Sequence, residues 1–384
     1  MHFFERSFEM TTIRKVTTPR DIREFIRFPL RLYKGNPWYV PALYGDEKKL
    51  LKNGGRTRDA EAVFFLAVRD GKTVGRIQGI EQKEYNRAHG TKKVRFTRFD
   101  AIDDEEVALK LFEAVENWAR ERGLNEAVGP LGYSDLDREG LLIEGFDQEQ
   151  TFEEQYNYEY YARLIEKAGY VKDADWLEFQ LRKPEKRPEM LERLSRRTLE
   201  LNRLHVAPTA GISKKAYVEK YRDGLFDCLD ECYRELYGTV KLTREAQDEL
   251  IGQFMLIVRK EFAVFICDAD ENVIAFGLCF PGIGKAVQKS GGRLTPMALL
   301  RILKTVRKPK TIDLGLVAVR PQYQSKAVNA VILNYMQDML ENMGVEKFET
   351  NLNLEDNTAV MAQWKYFDAR QNKRRRSYIK KLGE

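Results

Sequence analysis

Two apolar stretches separated by polar chain stand out, "VFFLAVRDGKTVGRIQGI" from Val63 and "FAVFICDADENVIAFGLCF" from Phe262. A polar turn breaks each run in the middle, so each predicts a β-hairpin. The pattern that follows is the same both times: a strand, a long helix closed by glycine, a strand, a shorter helix and a last strand. In the first copy these are "VRFTRF", a helix from about Asp104 to Arg122 stopped by Gly123, a strand near "NEAVG", a helix in "YNYEYYARLIEKAGY" ending at Gly169, and "DWLEFQL". In the second they are "TIDLGLVAV", the helix "SKAVNAVILNYMQDMLENMG" stopped by Gly344, "KFETNL", the short helix "TAVMAQWKYF" and "RRSYIKKL". The charged stretch from Arg182 to Met190 holds Pro184 and Pro188 and reads as a linker. The expected architecture is α+β: two similar domains in tandem, residues 1–183 and 184–384, each a mixed, mostly antiparallel sheet flanked by helices.

Length supports two domains, since 384 residues exceed one ordinary core. Charged residues at 32% and hydrophobic ones at 43% exclude a disordered chain. No apolar run is long enough to span a bilayer, and "MHFFERSFEM" breaks its apolar residues with charge, unlike a signal peptide. A cytoplasmic location with no membrane partner is the expectation. Net charge is +6 against 65 basic and 59 acidic residues, which favours a mixed solvated surface over a nucleic-acid groove. Cys228, Cys232, Cys267 and Cys279 lack C-x-x-C spacing, and only His2, His89 and His205 could join them. Buried reduced thiols and no metal are expected.

The order hairpin, strand, turn, helix, strand, helix, strand resembles the GNAT acyltransferase superfamily. In that family the turn after the fourth strand reads Gln/Arg-x-x-Gly-x-Gly/Ala, and its amides hold the pyrophosphate of acyl-coenzyme A. "VAVRPQYQSKAVNA" is similar, with Val319, Pro321, Tyr323 and Gln324 in place and the two motif glycines replaced by Ala327 and Asn329. The chain also resembles a bacterial group of two-copy GNAT-like proteins through "VGRIQGI", "GPLGYSDLDREGLLIEGF" and "YNYEYYARLIEKAGY". The resemblance implies acetyl-CoA or another acyl-CoA as co-substrate and a small-molecule or peptide amine as acceptor. Its cofactor residues fall on Val317, Val319, Gln324, Ser325, Lys326, Ala327, Val328, Asn329 and Ala330, with Asn357 on the pantetheine arm.

Loss of the glycines need not abolish phosphate binding, because alanine and asparagine keep the N–H groups that a helix N-terminus offers an anion. If the turn needs a positive φ, Ala327 costs roughly 1–2 kcal/mol there. Lys326 and Arg320 can add charge. The matching turn of the first copy reads "FDAIDDEEVALK", where Asp103, Asp104, Glu105 and Glu106 satisfy the helix and repel phosphate. The second copy is therefore the expected acyl-CoA site.

Acyl transfer to an amine needs a deprotonated nucleophile, an oxyanion donor and a proton for the leaving thiolate. The resemblance puts the oxyanion donor on the backbone at "LVAV" and the acid on a tyrosine of the short helix. Trp364 stands at that place, which leaves Tyr366 as candidate acid, or as a core tyrosine. Glu355 is a candidate proton acceptor, or a charge serving the helix start, as Asn357 can be a simple cap. Asp135, Asp137, Arg138, Glu139, Tyr156, Asn157 and Tyr158 predict a polar, aromatic acceptor pocket facing the second copy, or charges paired with one another.

"PGIGKAVQKSGGRL" fails as a dinucleotide or Walker loop because Val287, Cys279 and Ala286 stand at required positions, so it is expected as a mobile glycine-rich loop. "NKRRRSYIKK" reads as a solvated final strand. Two other functions fit the same chain. One is a catalytically silent ligand-binding protein of this fold. The other is an aminoacyl-tRNA-dependent transferase like the FemABX family, which the weak basic balance disfavours.

Overall fold

The first apolar run folds as its pattern predicts, with Ala62 opposite Ile80 and Leu66 opposite Arg76 across a hairpin. A computed structural model describes residues 10–57 and 59–383; the opening segment read for a signal peptide, with His2, lies outside the described residues apart from Met10. In chain order the elements are β1 (Thr12–Lys15), α1 (Pro19–Leu32), α2 (Tyr44–Lys52), β2 (Ala60–Arg69), β3 (Lys72–Gln82), α3 (Lys83–His89), β4 (Lys93–Ala101), α4 (Glu105–Arg120), β5 (Glu126–Gly129), β6 (Leu141–Glu144) and α5 (Tyr160–Lys167). They continue with β7 (Val171–Arg182), α6 (Glu189–Asn202), β8 (His205–Val206), α7 (Lys214–Tyr233), α8 (Arg244–Phe254), β9 (Ala263–Cys267), β10 (Val273–Pro281), α9 (Gly284–Gln288) and α10 (Pro296–Arg307). Last come β11 (Thr311–Val319), α11 (Pro321–Gln324), α12 (Asn329–Asn342), β12 (Lys347–Glu349), β13 (Asn353–Leu354), α13 (Thr358–Met361) and β14 (Asp368–Lys381).

Two compact units form, and neither is continuous in sequence. The first holds residues 1–175, 287–294 and 374–384; the second holds 176–286 and 295–373. The end of β7 thus belongs to the second unit and the end of β14 to the first. Side chains explain both memberships. Tyr378 and Leu382 sit in the first unit's core with Phe96, Phe112 and Tyr170, and Arg376 grips Asp175 at 2.8 Å. Leu181 lies in the second unit's core beside Phe348 and Leu191. Burying an apolar side chain of this size contributes about 1.5–3 kcal/mol, so each exchanged strand is held by its own inward face.

The first unit's sheet runs β1-β2-β3-β4-β5-β14, antiparallel except where β4 meets β5 in parallel. Helix α4 lies close on β3 because Gly75 and Gly79 have no side chains; a Cβ would come within 2.7 Å of Leu111 at the first and 3.1 Å of Val115 at the second. Alternation then sends Arg76 and Gln78 to the other face. The shorter helix starts at Tyr160, later than its aromatic pattern predicts, because Asn157 instead clamps Leu142, accepting from its N–H at 2.7 Å and donating to its carbonyl at 3.0 Å.

The second unit's sheet runs β7-β12-β11-β10-β9-β8, again with one parallel pair, β11 with β12. Gly277 lets α12 approach β10, since a Cβ there would meet Ile332 at 2.8 Å. Helix α6 packs along α12, tied by Arg187 to Asp338 at 2.8 Å and Glu341 at 2.5 Å. Helix α7 packs against β10, with Gly224 against Val273 and the Tyr217 hydroxyl donating to the Ala263 carbonyl at 2.9 Å.

The glycine-rich loop is fastened rather than mobile. Gln288 donates to the carbonyls of Pro37 and Tyr39, both at 2.9 Å, and the Tyr44 N–H donates to the Gly292 carbonyl at 2.8 Å. Gly292 is required there, because its φ is +76° and a Cβ would lie 2.1 Å from the Ala42 carbonyl.

Candidate functional site

Strand β11 outruns its neighbour. Its pairing with β12 ends at Asp313 opposite Glu349, while β11 continues to Val319. Beyond that point no strand covers this edge among the described residues, and Val317 is 41% exposed. On the other side the Arg320 N–H donates to the Ile274 carbonyl at 3.0 Å, so every second residue bonds β10 and Val317 and Val319 turn to the open edge. A bulge at Leu278 and Cys279 leaves Gly315 unpaired opposite them, where a Cβ would lie 2.5 Å from Phe280.

The chain then turns through α11 and Ser325–Val328 into α12. Ala327 adopts φ +57°, the left-handed conformation that favours glycine. The turn is exposed from Gln324 to Lys326, and among the described residues no protein acceptor lies against the amides of Ala327, Val328 and Asn329, while Ala330 and Val331 already donate to Ala327 and Val328. Lys326 lies over the Tyr323 ring at 4.3 Å and forms no ion pair among the described residues. Arg320 is committed elsewhere, to Glu231 at 2.6 Å and the Val273 carbonyl at 2.8 Å. The edge itself is partly covered by α7. Tyr233 donates its hydroxyl to the Val317 carbonyl at 3.0 Å, and Val319 accepts from Cys232 at 3.2 Å and Gln324 at 3.1 Å.

Trp364 is buried in the second unit's core with its indole N–H unpartnered. Tyr366 is half-buried against the same core and accepts from Gln337 through its carbonyl at 2.8 Å. Asn357 caps α13, its side chain accepting from the Val360 N–H at 3.3 Å, and Glu355 lies half-buried just before it.

In the first unit the matching strand end is occupied by protein. Asp104 caps α4 by accepting from the Val107 N–H at 3.2 Å and pairs with Arg69 at 2.7 Å, so a carboxylate already stands at that helix start. Around β4 lies a buried polar cluster that sequence reading missed. Asp100 accepts from Arg76 at 2.7 Å, from Tyr33 at 2.8 Å and from Tyr161 at 3.3 Å. Arg98, at φ +49° in a bulge, holds Glu47 through three contacts of 2.7–3.1 Å and donates to Gln78 at 2.7 Å. Burial opposes the charge on Glu47, but Arg98 outweighs it and holds the carboxyl at about 2. Burial pushes Asp100 up despite Arg76, and lifts the phenols of Tyr33 and Tyr161 well above their usual range, with Asp100 adding to it. One signal could have disclosed the cluster: Arg76, Gln78 and Asp100 are polar residues set beside apolar or glycine neighbours within strands, and all three are buried.

The predicted acceptor residues divide. Asp137 closes a turn by accepting from the N–H groups of Tyr133 and Ser134 at 2.8 and 3.2 Å, and Asp135 is half-buried beside it in sequence. Tyr156 and Tyr158 donate to the carbonyls of Phe146 and Leu32, both at 3.2 Å, and pack around Tyr33 at 5.7 and 5.0 Å. Asn157 serves the Leu142 backbone. Arg138 donates to the Phe152 carbonyl at 2.7 Å and sits in the field of Tyr39 and Glu47, its pKa lowered chiefly by burial. Glu139 is buried, and burial, then Asp135 and Glu154, push its carboxyl well above the usual range.

No family model matches the chain. Two curated proteins are similar along nearly all of it. The bacterial ceramide synthase of Caulobacter vibrioides is 26% identical over 357 residues, covering 90% of this chain and 91% of its own, and protein YghO of Escherichia coli is 25% identical over 378 residues, covering 96% and 95%. Among solved structures, a tandem GNAT protein from the clavulanic acid biosynthesis pathway superposes with TM-score 0.57 at 11% identity over 97% of this chain and 99% of its own. A GCN5-related N-acetyltransferase from Sphaerobacter thermophilus gives 0.52 at 12% identity over 97% and 96%. The fold is that of two GNAT-like domains in tandem.

Proposed function

We propose that this chain of two GNAT-like domains is an N-acyltransferase that takes an acyl group from acyl-coenzyme A through its second unit. The observation that carries the reading is the open end of β11 running into unpaired amides at the half-buried Ala327 and Asn329. Such amides at a helix start suit a pyrophosphate, and the left-handed backbone at Ala327 keeps the loop in the shape that glycine gives it elsewhere. Lys326 adds an exposed positive charge, and the Asn357 side-chain N–H groups are the proposed donors to a pantetheine arm. In the reaction the amine nitrogen bonds the acyl carbon, the carbon–sulfur bond breaks, and the amine's proton leaves as the thiolate gains one. Tyr366 is the proposed proton donor and Glu355 the proposed acceptor.

The similarity to a ceramide synthase favours a long-chain amino alcohol as the amine, since a ceramide is the amide of such an alcohol with a fatty acid. A second reading, a binder without turnover, is favoured by Trp364 and by the α7 side chains on the open edge. Release of free thiol from fatty acyl-CoA on adding a long-chain amino alcohol separates the two. Transfer predicts thiol and amide in equal amounts, whereas binding with no thiol released from any amine overturns it.

A further inference from the structure

From Asn272 to Ile312 the chain has no acidic residue in 41 positions and carries eight lysines and arginines. This stretch contains α10, whose inward face is Ala298, Ile302 and Val306. Its outward face is not the polar surface that water favours. Met297, Leu300 and Leu303 stand on it at steps of three, 56%, 61% and 41% exposed. Arg301, Lys304 and Arg307, each four residues after one of them, form a second stripe beside the first. None of these three cations, nor Lys308, pairs with a carboxylate among the described residues, whereas Lys310 just beyond pairs with Glu346 at 2.7 Å. The helix is firmly set: Thr295 caps it by accepting from the Ala298 N–H at 3.3 Å, and Arg259 donates to the carbonyls of Val306 and Arg307 at 3.4 and 3.2 Å.

An occupant must satisfy both stripes. A nucleic acid would answer the charges and leave the leucines bare. A second copy meeting the same face would set arginine and lysine against their own kind. An anionic bilayer surface answers both, taking apolar side chains into the acyl boundary while basic ones lie among the headgroups. We infer that α10 docks this protein onto an anionic lipid surface, lying on it rather than crossing it; no helix of the described residues is long and apolar enough to cross. This departs from the expectation of no membrane partner, which followed from the lack of a bilayer-spanning apolar run and did not consider a helix lying on the surface. It does not rest on the acyltransferase reading.

The test is flotation of the full chain with phosphatidylcholine vesicles, with and without phosphatidylglycerol, at low salt. Wild type should float with the anionic vesicles only. Met297→Asp with Leu300→Asp should abolish flotation while leaving circular dichroism and melting unchanged, because both side chains are exposed. Arg301→Ala and Lys304→Ala should each weaken binding about fivefold. Leu300→Trp supplies a second readout, a blue shift of its emission on anionic vesicles. No flotation of wild type, equal flotation of the double aspartate variant, or no blue shift overturns the proposal. So does a dimer in solution that the aspartates dissociate, or binding to RNA in place of vesicles.

Discussion

Tyr233 donates its hydroxyl to the Val317 carbonyl at 3.0 Å, on the edge of β11 that no strand covers. The bond stands where an acyl-CoA arm would pair with the strand, so the two compete. Tyr233→Phe removes a hydrogen bond of net value about 0.5–1.5 kcal/mol and should tighten acyl-CoA binding roughly two- to tenfold by calorimetry. An unchanged or weakened affinity would mean the arm does not use that edge.

Ala327 holds φ +57° without being glycine. Left-handed backbone costs an ordinary residue about 1–2 kcal/mol, and glycine returns part of that gain by loosening the unfolded chain by about 0.4–1 kcal/mol. Ala327→Gly should therefore stabilise the protein by roughly 0.5–1 kcal/mol in urea titration and bind acyl-CoA at least as tightly. Destabilisation would show that the methyl group makes contacts that outweigh the strain.

Glu139 gives a pH test. Its folded pKa lies above the ordinary carboxyl value, so the folded state holds a proton that the unfolded state has lost. Stability from this group is complete below about pH 4 and declines as pH rises toward the folded value. Glu139→Gln needs no proton, so it should match wild type at pH 4 and exceed it at pH 8 by more than about 1 kcal/mol. No gain at pH 8 contradicts the assignment.

Arg98 and Glu47 give the opposite sign. Glu47 is 8% exposed and titrates near 2, so its pairing stabilises the fold above about pH 4.5 and is lost as pH falls from there toward 2. Arg98→Met leaves the buried carboxylate with the longer Arg76 contact of 4.0 Å and should cost up to about 3–5 kcal/mol at pH 7. The loss should shrink in acid, where Glu47 is protonated in both states. Chemical denaturation at both pH values measures it.

Much of the fold was legible because periodicity and glycine stops are local signals. "TIDLGLVAV" became β11 from Thr311 to Val319, and Gly123 and Gly344 closed their helices with positive φ. Which sheet a last strand joins is not local: "DWLEFQL" and "RRSYIKKL" carry alternation that suits either unit, and only the packing of Leu181 and Tyr378 decides. The Arg98–Glu47 and Arg76–Asp100 pairs join residues 51 and 24 apart in sequence. Spacing gave no sign of them, although a charged residue beside apolar or glycine neighbours within a strand did. The glycine-rich loop was misjudged because Gly292 serves a tight approach to Ala42, which composition does not distinguish from freedom to move.

The most direct measurement is calorimetric titration of acyl-CoA into wild type and Lys326→Glu, an exposed position whose charge reversal sets an anion beside the unpaired amides of Ala327 and Asn329. Saturable one-site binding by wild type, lost in Lys326→Glu and undisturbed by Asp104→Asn at the corresponding turn of the first unit, is the predicted result. Binding that survives Lys326→Glu, or no binding by wild type, would contradict the assignment of the acyl-CoA site to this turn.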